Sequence, residues 1–183
     1  MGAIDMVRSY AAAAAVLCLA TSAKAQGASF DVEAAKKVIA MEAGTWDADI
    51  TFPSNEAGKP GSKARGVQVN RLRSGGLWML NLFAVESTAY EGTGVWGYDR
   101  TTGRFSGIWT DNNDQQIRLD DGRWDPATQT LTWTAKMVQP GGGWMVTVAT
   151  EKFAGDTRTF DMVALSRKGA VPLVRMVFRK RSA

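Results

Sequence analysis

Histidine is absent from all 183 residues, and cysteine occurs once, at Cys18. Without imidazole there is no Ser-His or Cys-His nucleophile pair, and zinc sites built on His or Cys are excluded with them. A lone cysteine closes no intramolecular disulfide, so outside the cytoplasm such a chain must be held by its core alone, which a domain of roughly 150 residues can supply. Neither charge sign dominates: 22 Lys and Arg face 18 Asp and Glu, a formal net charge of +4. The basic residues are scattered, unlike the stripe that marks a nucleic-acid-binding face. Nothing repeats at a solenoid period. The acid–base chemistry that remains belongs to carboxylates, lysines and tyrosines.

The N-terminus reads as a leader. Arg8 precedes an apolar run over residues 10–20, too short for the roughly 20 residues that span a bilayer. Ala23-Lys24-Ala25 puts small residues at the two positions a signal peptidase reads. Cleavage is expected between Ala25 and Gln26, which makes 1–25 a signal peptide and 26–183 one domain, periplasmic or secreted. Asp5 weakens the basic start of this leader, and initiation at Met6 would give a cleaner one. Leu17 before Cys18 argues against a lipoprotein signal. No later run is apolar enough for an integral membrane helix.

Asp31 suits the N-cap of a short amphipathic helix through Met41, with Val32, Ala35, Val38 and Ile39 along one face. From Gly44 to Arg181 the pattern changes to about ten short strands. Trp46, Ala48, Ile50 and Phe52 alternate with Asp47, Asp49 and Thr51. Turn residues punctuate the rest: Asp99 to Gly103, Asp125 to Thr128, Pro140 to Gly143, Gly155-Asp156 and Lys168-Gly169. The segment from Leu77 to Val85 is apolar on both faces. The expected fold is all-β, an up-and-down antiparallel barrel with the helix closing one end.

Several stretches carry a resemblance. Gly44-Thr45-Trp46 after a short helix resembles the glycine–any–tryptophan signature of lipocalins and other calycin barrels. In those folds a basic residue of a last strand packs over the tryptophan, a role that resemblance opens to Arg175, Arg179 or Arg181. Closer still, Glu42-Ala43-Gly44-Thr45-Trp46, Tyr90-Glu91-Gly92-Thr93-Gly94 with Gly97-Tyr98-Asp99, Phe105 to Asp111, and Gly122-Arg123-Trp124-Asp125-Pro126 resemble the bacterial family called domain of unknown function 1579. That resemblance implies a calycin-like barrel without an assigned activity. The related nitrobindin group holds haem through a histidine, which this chain lacks. No cofactor or metal is expected.

Two motifs are deflated by context. Gly92 to Gly97 satisfies G-x-G-x-x-G as text, but no helix follows to receive a pyrophosphate. Asp111-Asn112-Asn113-Asp114 resembles the start of a calcium loop, yet Gln116 and Gly122 stand where glycine and glutamate are needed. Glu86, Asp111, Glu151 and Asp161 are the carboxylates in apolar strand contexts, and burial would suit one of them to a general base.

Seven tryptophans suggest an apolar or aromatic ligand in the barrel. Its expected wall is Trp78, Leu80, Trp96, Tyr98, Trp109 and Trp133, with Asn81 and Asp111 as polar contacts, at the end opposite the helix. The physical basis is the space left inside by glycines at 92, 94 and 97. The function this supports is a non-catalytic binder or carrier of a small hydrophobic or aromatic molecule. The alternatives are a carboxylate-dependent isomerase or hydrolase using the same cavity, and an envelope interaction module. Convergent polar groups with a raised acid favour the enzyme, a single polar group at an apolar mouth the binder, and an exposed apolar patch without a pocket the module.

Overall fold

The computed structural model describes residues 31–54, 59–114, 116–139 and 141–182; the expected signal peptide lies outside them. Helix α1 (Val32–Met41) is followed by β1 (Gly44–Phe52), β2 (Ser62–Arg73), β3 (Trp78–Val85), β4 (Glu91–Asp99) and β5 (Arg104–Asp111). Then come β6 (Arg118–Asp125), β7 (Thr130–Val138), β8 (Trp144–Ala154), β9 (Thr157–Ser166) and β10 (Gly169–Lys180). Each strand pairs antiparallel with its sequence neighbours, and β1 also pairs with β10, closing a ten-strand barrel. Full closure leaves no open sheet edge, the usual route to edge-to-edge association.

Asp31 caps α1 by accepting from the Glu33 backbone N–H at 3.3 Å. Ala35, Val38 and Ile39 turn inward to Met79, Tyr98, Phe105, Leu131 and Phe153, so the helix plugs one end of the barrel. A second cluster, Trp46, Ala48, Ile50, Phe83, Val85 and Phe178, packs along the opposite wall. The anticipated turns after β4, β6, β8 and β9 fall where the strands end. Pro172 in β10 sits beside a register shift, a kind of irregularity where strands tolerate proline.

The inner face of β4 explains the glycines. A side chain at Gly94 would lie 2.9 Å from Cε3 of Trp109, and one at Gly92 would overlap the same indole. Trp133 covers Gly122 in the same way, at 2.5 Å from where its Cβ would be. Large aromatics therefore occupy the volume that glycines on the neighbouring strand vacate. Gly97 differs from the expectation. The ring of Trp78 fills its space from outside, at 2.5 Å, so this glycine opens no room within the barrel.

The basic residue over Trp46 also differs from the one expected. Arg175 pairs with Asp161 at 2.8 Å, Arg179 with Asp49 at 2.5 Å and Arg181 with Asp47 at 2.6 Å, all on the outer face. The cations over the Trp46 ring are Lys180 at 5.3 Å and, from β9, Arg158 at 5.1 Å.

Candidate functional site

Between the helix plug and the far rim lies a cavity of about 830 Å³. It opens among Phe52, Thr88, Ala89, Asn112 and Asn113, at the end of the barrel away from α1. Its walls are mostly apolar, with Ile50, Phe83, Trp109, Phe160, Met162 and Met176 among them. That volume is in the range of sites that enclose a small organic molecule.

Of the eight residues expected to line it, Asn81, Trp96, Trp109, Asp111 and Trp133 do so. Tyr98 points inward but is buried in the cluster under the helix, below the cavity. Trp78 and Leu80 are corrections. On β3 the inward phase is Met79, Asn81, Phe83 and Val85, which leaves Trp78 and Leu80 on the outer face. A strand apolar on both faces gives no alternation to set its phase, and side chains one apart cannot share a face.

The cavity floor is polar, with Glu42, Gln68 and Glu151 buried there. Arg158, 1% exposed, lies behind it and donates through one terminal nitrogen to both Glu42 and Glu151, the latter at 2.7 Å. Its other terminal nitrogen donates to Gln68. The Trp96 indole donates to the second oxygen of Glu42 at 2.8 Å, and the Trp133 indole to the second oxygen of Glu151 at 3.3 Å. The guanidinium stacks over Phe178 at 4.1 Å, joining the network to both hydrophobic clusters. Glu42, positioned at the end of α1, also uses its backbone carbonyl to accept from the Trp46 indole at 2.8 Å and from Asn70 at 2.9 Å. Asn81 extends the chain by donating to Asn70 at 2.8 Å.

At the mouth, Asp111 accepts from Tyr90 at 3.1 Å, from the Trp109 indole at 3.0 Å, and from the backbone N–H groups of Asn113 and Asp114 at 2.9 Å each. Burial works against ionisation there, yet these four donors hold the carboxyl below its ordinary value. Burial and the neighbouring Asp111 push the Tyr90 hydroxyl up to about 12. Arg118 clasps Asp120 at 2.9 Å on the adjoining wall. Of the other expected carboxylates, Glu86 is exposed and Asp161 is spent on Arg175. Among the described residues, no group of three or more acidic side chains is placed to hold a metal ion.

A family model described as a protein of unknown function (DUF1579) matches residues 32–180. The chain belongs to that family. No curated protein matches the sequence. Among solved structures, the DUF1579 barrel is similar to the crystal structure of Rv2717c from M. tuberculosis, at 10% identity and a TM-score of 0.63. That match covers 83% of this chain and 100% of the other. A redesigned β-barrel aligns at 12% identity over 79% of this chain and 96% of its own, with a TM-score of 0.36. At these identities the likeness concerns the fold alone.

In this DUF1579 barrel Glu151 is the carboxyl whose proton matters. Burial raises it to about 7; Arg158 and the Trp133 indole oppose the rise, while Glu42 and Asp120 add to it. An acid raised on folding makes the native state take up protons between its unfolded value near 4.5 and about 7. Stability should therefore fall as pH rises through that window, by roughly 2–3 kcal/mol from pH 5 to pH 8. The carboxylates held low, Asp47, Asp49, Asp99, Asp111 and Asp125, lose their contribution only at more acid pH, below this range. With no histidine, the usual titrations of this window are missing. Urea midpoints at pH 5 and pH 8 should differ in the wild type and converge in Glu151→Gln.

Proposed function

We propose that this barrel binds or carries a small molecule with a hydrophobic or aromatic body, without catalysing a reaction on it. The observation that carries this is the cavity of about 830 Å³, open at one end and walled by Ile50, Phe83, Trp109, Met162 and Met176. Burying that apolar surface against a ligand would stabilise the complex at about 25 cal/mol per Å² before the costs of association. The likeness to calycin barrels and the leader pattern in residues 1–25 support a carrier working in the periplasm or outside the cell.

A second reading has a specific observation behind it, the convergent polar groups with a raised acid that favour an enzyme. Glu42 and Glu151 both line the cavity, and Glu151 has the raised pKa of a general base, as an isomerase or hydrolase would need. These carboxylates nevertheless converge on Arg158, and each of their four oxygens already accepts a hydrogen bond from Arg158 or an indole. The floor therefore suits recognition of a ligand's polar end better than proton abstraction. Exposed Ile117, Leu119 and Trp144 keep an envelope contact open as a further role, but they accompany a pocket and do not replace one.

Tryptophan fluorescence offers the direct test, because Trp96, Trp109 and Trp133 line the cavity. Titration with medium-chain lipids and small aromatics should give saturable quenching or a blue shift. Flat titrations throughout would remove the binding reading.

A further inference from the structure

The charges around the cavity are lopsided, and this narrows the ligand. Among the described residues, four carboxylates line it, Glu42, Asp111, Asp120 and Glu151, against one guanidinium, Arg118. Arg118 is already clasped to Asp120 through both Nε and a terminal nitrogen, at 2.9 Å and 3.1 Å. Arg158 lies behind the floor and is committed to Glu42, Glu151 and Gln68. Among the described residues, both guanidiniums at or behind the cavity are thus already paired with carboxylates. At the floor two carboxylates share one cation, which leaves one negative charge without a partner whenever both are ionised.

Building on the binding reading above, we propose that the ligand is a cationic amphiphile, a protonated amine on an apolar or aromatic body, with its ammonium seated at Glu42 and Glu151. A second cation there would bring the floor to two charges of each sign. The indoles of Trp96 and Trp133 hold the far oxygens of the two carboxylates, and both side chains line the cavity beside them. A carboxylate ligand would instead add a further negative charge to a low-dielectric site.

The proton balance follows directly. In the empty barrel burial keeps a proton on Glu151 at mildly acid pH. Seating R–NH3⁺ beside it displaces that proton to water and leaves an ammonium–carboxylate pair. The groups facing Glu151 are Glu42 from the end of α1, Asp120 from β6, Trp133 from β7 and Arg158 from β9. Arg158 is the one cation among them, and Glu42 shares it.

Isothermal titration of the wild-type protein with phenylbutylamine, phenylbutanol and phenylbutanoate, three heads on one body, separates the cases. The amine should bind at least about tenfold tighter than the alcohol, and the carboxylate weakest. Amine affinity should rise about tenfold from pH 6 to pH 8, with net proton release at pH 6 in buffers of different ionisation enthalpy. Alcohol or carboxylate binding as tightly as the amine would overturn this inference and leave the binding reading standing. If none of the three binds, the binding reading fails and the inference with it. Glu151→Gln should bring the amine down to the alcohol's affinity and abolish the proton release. If that variant does not fold, Asp120→Asn is the second arm: it frees Arg118 and should raise phenylbutanoate affinity, and an unchanged affinity would count against the charge argument.

Discussion

Arg158→Ala should lower the unfolding free energy by about 3–5 kcal/mol, a large part of the roughly 5–15 kcal/mol that holds a domain together. The guanidinium is the shared donor to Glu42, Glu151 and Gln68, and all three acceptors are buried. Removing it leaves two buried carboxyls without a counter-charge, and empties the space over Phe178 and Trp46. Arg175→Ala provides the contrast. Its pair with Asp161 is solvent-exposed, and such pairs contribute about 0–1 kcal/mol. Neutralising the acids as well, in Arg158→Met with Glu42→Gln and Glu151→Gln, should recover much of the loss, because the penalty lies in the unpaired charge. Urea denaturation measures all three variants. A loss near 1 kcal/mol in Arg158→Ala would mean that the network does not organise the floor.

Ala64→Trp should abolish ligand binding, by at least about a hundredfold, with a much smaller effect on stability. Ala64 points inward from β2 and lines the cavity away from the Arg158 network. An indole there takes the volume a ligand would use, and overfilling an occupied site by this much costs more than the roughly 2.7 kcal/mol that a hundredfold represents. Arg65→Trp, one residue along and facing outward, is the control and should bind normally. Fluorescence titration of the two variants gives the comparison, and equal binding would place the ligand elsewhere.

The barrel was legible because its signals are local. Alternation in β1, the turn residues at Asp99 to Gly103 and Asp125 to Thr128, and the N-cap at Asp31 each act within a few residues of themselves. Part of the cavity wall followed from the same alternation, since Trp96, Trp109 and Trp133 sit in strands with a clear phase. β3 did not yield, because Trp78 to Val85 is apolar at nearly every position and its phase is set by the partners across the sheet. The floor was hidden for another reason. Glu42 and Arg158 are 116 residues apart, and nothing local distinguishes a buried ion pair from two solvated charges. One signal for Arg158 was available: it shares the inward phase of β9 with Phe160 and Met162. Glu42, likewise, stands two residues before the Gly44-Thr45-Trp46 stretch that fixes the entry to β1.

Whether the cavity holds a small molecule is tested most directly by native mass spectrometry of the protein purified, without denaturation, from the cells that make it. A barrel that carries a ligand should show an excess mass of a few hundred daltons, lost on denaturation and recovered as a low-molecular-weight species with an apolar body. The bare chain mass before and after denaturation, together with flat fluorescence titrations, would contradict the account.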